Sequence, residues 1–283
     1  MKLLTWNIQW GRGADGRVDL ARIAAHVRTL GEFDVICLQE VSCAYTELAG
    51  NDGADQFAAI EKLFPEFAAI SGYAMDTAGD DGRRKRFGNM ILSRYPVRQV
   101  FRHLLPWPSD PKVLSMQRLA LEANLVTPLG LLRVTTTHLE YYSTMQRSAQ
   151  IARLRELHGE AVAHARAPGP GQPADGPFAG AMRAAPAIVC GDCNFLPDSA
   201  SRVQMLQAVG VAIPPYRDAW DVLHPGCAHA PTVGLYDKQQ WPGEPFTFDY
   251  FFASEDLLPR LRAIAVDTVS DASDHQPLLL ELG

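Results

Sequence analysis

A layered α/β fold is the class this sequence predicts, on three observations. Short apolar runs of strand length alternate with stretches of helical periodicity from the first residues onward. Several of those runs end in an ionisable or amide side chain (Asn7, Glu40, His138, Asp192, Asp249), where a purely structural turn would favour Gly or Ser. The composition is that of an ordinary globular protein, 47% hydrophobic and 20% charged over 283 residues.

Leu3 to Ile8 is the first expected strand, delivering Asn7 before a Gly11-Arg12-Gly13 turn. Leu20, Ile23, Val27 and Leu30 recur at helical spacing, and Gly31 stops that helix. Asp34 to Leu38 is a second, buried strand that delivers Gln39 and Glu40. Phe57, Ile60 and Phe64 predict a helix closed by Pro65, and Ala68 to Tyr73 a further strand. Thr77 to Arg86 is polar and Gly-rich and reads as a loop, ending in the basic run Arg83-Arg84-Lys85-Arg86. Gly88 to Ser93 is a strand entering the turn at Pro96.

Leu119, Leu121, Ala123 and Leu125 alternate as in a half-buried strand, Pro128-Leu129-Gly130 turns the hairpin, and Leu132, Val134, Thr136 and His138 alternate on the return. Ser143 or Thr144 caps a long helix to about His164, with Ile151, Leu154, Leu157 and Ala161 as its apolar stripe. Residues 167–185, rich in Ala, Gly and Pro, predict a flexible surface loop. Ala187-Ile188-Val189 is a short strand that ends at Gly191, so that Asp192 and Asn194 stand at its carboxyl edge. Met205, Leu206 and Val209 suggest a short helix, and Tyr216 to Pro245 is irregular. Strands at Phe248 to Ala253, Ile264 to Val269 and Leu278 to Leu280 complete the chain, with Ser273-Asp274-His275 before the last.

The net charge of −6 and pI near 5.7 exclude a global positive field, so any polyanion contact must be local. Five cysteines, an odd number with Cys37 and Cys190 in apolar runs, suit a reducing compartment. The amino terminus shows no signal-peptide pattern and no apolar stretch approaches a membrane span of ~20 residues. The expectation is a soluble cytoplasmic protein without stable membrane insertion. Cys190 and Cys193 are spaced like half of a zinc or redox site, but no second pair exists and Asp192 lies between them, so they read as incidental.

Each polar strand end has a bland reading: a turn cap for Asn7, a solvated carboxylate for Glu40, a satisfied core histidine for His138, a helix cap for Asp274 and His275. Taken together they converge if the strands share a sheet direction. Several carboxylates brought together repel unless a cation sits among them. Asp, Glu and Asn ligands suit a hard ion, Mg²⁺ or Mn²⁺, better than zinc. The set then supplies what phosphate-ester hydrolysis requires. Glu40 holds the metal, Asp192 aligns and deprotonates water, and Asn194 holds that water or the phosphate. His275 donates to a nonbridging oxygen and Asp249 orients it; His138 contacts the phosphate or helps the leaving oxygen, and Asn89 bonds a further phosphate oxygen.

At these positions the chain resembles the endonuclease/exonuclease/phosphatase superfamily, which includes pancreatic-type deoxyribonucleases, abasic-site endonucleases, neutral sphingomyelinases, deadenylases and inositol-polyphosphate phosphatases. The matching segments, in the family's order, are Thr5-Trp6-Asn7, Leu38-Gln39-Glu40-Val41, Gly88-Asn89 through Ser93, Thr137-His138-Leu139, Gly191-Asp192 with Asn194, Phe248-Asp249-Tyr250-Phe251 and Ser273-Asp274-His275. The resemblance implies a four-layer α/β sandwich, two packed mixed β-sheets flanked by helices, as one domain over 1–283. It implies Mg²⁺ or Mn²⁺ dependence, with Asn7, Glu40 and Asp274 as metal residues. The catalytic set it implies is His138, Asp192, Asn194, Asp249 and His275. Arg147 and Gln150 match a pattern that reads as packing or site support. Two places depart from the pattern. Gln9 stands where abasic-site endonucleases carry an aspartate, and Thr247-Phe248 precedes Asp249 where an arginine is frequent.

The function expected is metal-dependent hydrolysis of phosphodiesters, with nucleic acid as first substrate and a lipid head group or small phosphorylated metabolite as the alternative. The basic run at 83–86 and Arg118 are the residues that would add a positive rim for substrate phosphates. Trp107, Tyr141, Tyr142 and Trp241 pack in loops or stack on a base. A catalytically dead binding module is the reading from another class. Loss of Glu40, Asp192 or His275 would have supported it, and all three are present.

Overall fold

Alternation along the strands decides the architecture. In β1 (Lys2–Asn7), Leu3 joins one core and Leu4 with Trp6 joins another, because successive side chains leave opposite faces. The first core lies between two sheets and the second beneath helices. The computed structural model describes residues 1–80, 82–169 and 183–283, so most of the loop expected over 167–185 lies outside the described residues.

After β1 come α1 (Leu20–Leu30), β2 (Val35–Cys43), α2 (Gln56–Leu63), β3 (Ala68–Ala78) and β4 (Arg84–Ser93). Next are β5 (Val97–Leu104), β6 (Leu119–Thr127), β7 (Gly130–His138), α3 (Thr144–Arg166) and β8 (Ala187–Asp192). The chain closes with α4 (Ala200–Leu206), β9 (Tyr216–Asp218), α5 (Ala219–Leu223), β10 (Asp249–Ser254), β11 (Leu261–Val266) and β12 (Leu278–Leu282). Two six-stranded sheets result, ordered β11-β12-β1-β2-β4-β3 and β5-β6-β7-β8-β10-β9. Both are mixed: β1 with β2 and β7 with β8 are parallel, and the other pairings are antiparallel.

Leu3, Val35, Cys37, Ile91, Leu121, Val134, Ile188, Cys190, Phe251 and Leu280 fill the space between the sheets. Helices α1 and α2 cover the outer face of the first sheet through Ile23, Val27, Phe57 and Ile60. Helix α3 covers the second through Ile151 and Leu154. Helix, sheet, sheet, helix is thus the layer order. Side-chain caps at Asp19, Asp55 and Ser143 start α1, α2 and α3.

Four expectations need correction. The stretch Thr77 to Arg86 is not simply a loop: β3 and β4 pair through Asp76↔Arg86, Thr77↔Lys85 and Ala78↔Arg84. An edge strand, β5, lies between the turn at Pro96 and β6; its mixed polar and apolar residues give no run of buried character. The segment expected to be irregular contains β9 and α5. Gly191 does not open a turn but lies inside β8 at φ 126°, because an added Cβ would stand 2.1 Å from the carbonyl oxygen of Thr137 on β7. Among the described residues no helix is long and apolar enough to cross a membrane.

Candidate active site

Register assembles the site. His138 at the end of β7 pairs with Asp192 at the end of β8, and Asp192 pairs with Asp249 at the start of β10. Parity turns all three inward, since each shares a face with inter-sheet core residues: Val134, Cys190 and Phe251. Asn7, on the same face of β1 as Leu3, approaches from the opposite sheet.

Glu40 arrives by a different route. Alternation alone would send it the way of Ile36 and Leu38, toward the helices. The β2–β4 register shifts between Leu38 and Val41, and Glu40 takes φ 61°. That bulge re-aims the side chain into the cleft. Gln9, Trp10 and Asn194 also have positive φ, so left-handed backbone concentrates around the site.

The Asn7 amide joins the sheets. Its Nδ2 donates to Glu40 Oε1 and to Asp192 Oδ2, both at 3.0 Å, while its Oδ1 accepts the Gln9 N–H. Asp192 Oδ1 accepts the Asn194 N–H at 2.9 Å, and Asn194 Nδ2 donates to the Leu139 carbonyl. His275 Nδ1 is 2.8 Å from Asp249 Oδ2, and its Nε2 is 3.6 Å from Asp192 Oδ2. Thr232, which sequence reasoning missed, donates its hydroxyl to the same Asp249 oxygen at 2.7 Å. Asp274 turns Oδ2 toward two donors, Gln240 Nε2 and Trp241 Nε1, each at 3.0 Å.

Burial and crowding shift these groups in different directions. Burial, then the Asp274 charge, pushes Glu40 up to about 7. Burial also raises Asp192 to about 6, against the pull of His275. For His275 burial disfavours the cation, but Asp249, Asp192 and Asp274 outweigh it and hold the imidazolium well above its ordinary range. His138 goes the other way, well below its ordinary value, through burial and the nearby Arg118 and His275 charges. The two histidines are therefore pushed apart, His275 toward the cation and His138 toward the neutral ring.

The donor set fits a hard divalent cation. Single ligand atoms of Glu40, His138 and Asp192 lie within 4.8 Å of one another. His138 Nδ1 is buried without a hydrogen-bond partner, 3.8 Å from Glu40 Oε1. Raised carboxylate pKa values are what a cation between such oxygens would relieve. Asp192, Asp249 and His275 form a second close group, but there the imidazolium already supplies the positive charge.

Arg118 lines the cleft beside His138, held by an ion pair from its Nε to Glu140 Oε2 at 3.2 Å. Glu140 is fully buried, accepts the Tyr142 N–H, and donates its own N–H to Gln150; Arg147 donates to its carbonyl. Arg147 and Gln150 thus hold the Glu140 backbone in place. Asn89 is buried on the flank, in a small cavity shared with Arg118 and His138, and its Nδ2 donates to the Leu119 carbonyl at 3.4 Å. The basic run is engaged in ion pairs: Arg84 pairs with Asp76, Lys85 with Glu47, and Arg86 lies 3.7 Å from Asp76. The walls of the cleft carry Trp10, Tyr141, Tyr142 and Trp241 instead; Trp107 lies outside it, bonded to Ser115.

Residues 4–275 match the profile of the Endonuclease/Exonuclease/phosphatase family. The chain belongs to this family. Members are metal-dependent phosphoesterases, hydrolases of phosphoester bonds. Among solved structures, an endonuclease/exonuclease/phosphatase from Beutenbergia cavernae is 23% identical with a TM-score of 0.69, over 100% of this chain and 72% of that one. A mannosyl-6-phosphatase from Bacteroides thetaiotaomicron is 16% identical with a TM-score of 0.65, over 100% and 99% of the two chains. A Neisseria 3′ phosphatase bound to a product DNA hairpin is 17% identical with a TM-score of 0.63, over 100% and 99%. These likenesses show the fold of the family. No curated protein matches the chain in sequence.

Proposed function

We propose that this family member hydrolyses a phosphoester by in-line attack of water activated at Asp192, with Mg²⁺ or Mn²⁺ held by Glu40 and Asp274. When bound, the cation would polarise the phosphoryl oxygens and offset developing charge. Asp192 aligns the water and takes its proton. The Asn7 amide and the Asn194 N–H keep the two oxygens of Asp192 apart in role. His275, a cation oriented through Nδ1 by Asp249, presents Nε2–H to a nonbridging oxygen as charge builds. Neutral His138 and Arg118 contact the phosphate from the β7 side.

The observation that carries this reading is the in-register row His138, Asp192, Asp249, with His275 within reach of both carboxylates. For substrate, we favour a nucleic-acid phosphodiester engaged at an end or over a few nucleotides. Aromatic walls offer stacking faces, and the paired basic run gives no track for a long backbone. The same pairing supports a second reading, a small phosphorylated metabolite whose ring stacks in the cleft.

The test is a hydrolysis screen with Mg²⁺ or Mn²⁺ and with EDTA. It spans single- and double-stranded DNA, RNA, abasic DNA, sugar phosphates, phospholipids and bis-p-nitrophenyl phosphate, with Asp192→Ala as control. Metal-dependent turnover that falls ~10²–10⁴-fold in the variant is expected for loss of a general base. Turnover undiminished in Asp192→Ala would refute the assignment.

A further inference from the structure

The segment 237–241 crosses the Asp274 side of the cleft, and one chain of hydrogen bonds ties it there. Arg12 Nη1 donates to Gln9 Oε1 at 3.3 Å, Gln9 Nε2 to Gln240 Oε1 at 2.7 Å, and Gln240 Nε2 to Asp274 Oδ2 at 3.0 Å. The polarity is forced. A guanidinium only donates and a carboxylate only accepts, so each amide between them has one possible orientation. Gln9 therefore does not offer a ligand oxygen to the cleft; its oxygen is turned to Arg12. Asp237 builds the segment's turn, accepting from Arg12 and from the Gln240 N–H.

Trp241 adds a second donor, Nε1, to the same Asp274 oxygen at 3.0 Å. Asp274 Oδ1 is left with Ser273 Oγ at 3.3 Å, but that hydroxyl has one proton and the Asn7 carbonyl lies closer, at 2.7 Å. One carboxylate oxygen is thus saturated and the other keeps its lone pairs. The same contact sets the Trp241 ring edge-on to Tyr141, centroids 6.2 Å apart, and against Phe246 and Phe248, as a wall of the cleft.

We propose that Trp241 and Gln240 are positioning residues whose N–H donors leave Asp274 as a one-oxygen ligand for a divalent cation and, through the same bond, fix the aromatic wall against which the substrate's ring packs. The proposal rests on the metal-dependent reading above and adds that cation binding and ring stacking meet in one side chain. Trp241, half-buried, contributes more than the exposed Gln240, whose bond competes with water.

The test is Mn²⁺ binding by titration calorimetry, thermal unfolding in EDTA, and kinetics on bis-p-nitrophenyl phosphate at saturating Mn²⁺. Trp241→Phe keeps a ring and loses the donor. It should unfold like the wild type in EDTA, bind Mn²⁺ about ten-fold more weakly as outer partners of ligands do, and raise KM less than loss of the ring does. Trp241→Leu loses both, and should weaken Mn²⁺ equally while raising KM about ten-fold, the scale of a lost stacking contact. Gln240→Leu, at an exposed position, should weaken Mn²⁺ about three-fold and carries the test should Trp241→Phe fail to fold. Wild-type Mn²⁺ affinity in the folded variants would overturn the positioning role alone. A wild-type protein that binds no Mn²⁺ would overturn it together with the metal-dependent reading.

Discussion

Asp192 and Asp249 are register partners on adjacent antiparallel strands, and His275 spans the gap between them. Its Nδ1 lies 2.8 Å from Asp249 and its Nε2 3.6 Å from Asp192. Two ionised carboxylates this close and this buried would repel strongly; an imidazolium between them removes the repulsion and is itself held charged. The arrangement also separates their roles. Asp249 takes the inner ring nitrogen and a threonine hydroxyl, whereas Asp192 faces the cleft.

Replacing Asp249 by Asn should therefore damage catalysis without emptying the site. The amide can still meet Nδ1, but it no longer holds the imidazolium or fixes the ring's tautomer. A fall in kcat of ~10²–10⁴ is expected, with KM changed far less. The loss should be smaller at low pH, where solvent keeps His275 protonated. Steady-state kinetics between pH 5 and 9 check both points, and a loss confined to KM would contradict the assigned role.

Cation-free protein should lose stability as pH rises. Glu40 holds its proton more tightly folded, at about 7, than unfolded, at 4.5, so the folded state binds more protons between those values and is destabilised on passing upward through them. The effect is on the order of 3 kcal/mol for Glu40. Asp192 acts in the same direction between 3.8 and about 6, and His138, depressed below 6.5, opposes them at acid pH. A cation that binds the ionised oxygens restores what is lost. The Mg²⁺-induced rise in Tm should thus be larger at pH 8 than at pH 5. Equal shifts at the two pH values would contradict a cation held by these carboxylates.

Glu140 is the only ion-pair partner recorded for Arg118 among the described residues, and it is fixed on three sides. Glu140→Gln should free the guanidinium and raise KM about ten-fold, since one charge-assisted bond of ~1.5–3 kcal/mol is lost from the residue proposed to contact the phosphate. Arg118→Ala should raise KM at least as much. Arg118→Lys should not rescue it, because a single ammonium cannot face both Glu140 and substrate. Substrate saturation curves for the three variants decide.

Much of this was legible in the chain itself. Alternation along β7 puts His138 on the apolar face, and Asn7, Asp192 and Asp249 stand out in the sequence as polar residues at strand ends. Glu40 violates parity, and only the bulge between Leu38 and Val41 explains its aim. Thr232, Asp237 and Gln240 lie in a segment without periodicity, so nothing local marks them as supports of Asp249 and Asp274. The ion pairs of the basic run were equally hidden: Asp76 faces Arg84 across the β3–β4 hairpin and Glu47 reaches Lys85 from far along the chain, and composition shows neither. The edge strand β5 carries polar residues on both faces and lacks the buried pattern by which strands are read.

Gly191 gives the most direct test of how tightly the strands converge on the site. Its φ of 126° is one that side chains rarely adopt, and an added Cβ would stand 2.1 Å from the Thr137 carbonyl, its register partner on β7. Gly130 also has positive φ, 97°, but open space where its Cβ would go. Alanine at 130 incurs backbone strain alone, about 1 kcal/mol. Alanine at 191 adds a clash that can be relieved only by parting β7 from β8, a loss of at least ~3 kcal/mol. It also parts His138 from Asp192, one residue further along each strand. Gly191→Ala should therefore lower Tm well beyond Gly130→Ala and abolish turnover below its own melting point, while Gly130→Ala keeps wild-type activity. Similar Tm values for the two variants would mean that β7 and β8 do not pack as closely as the site requires.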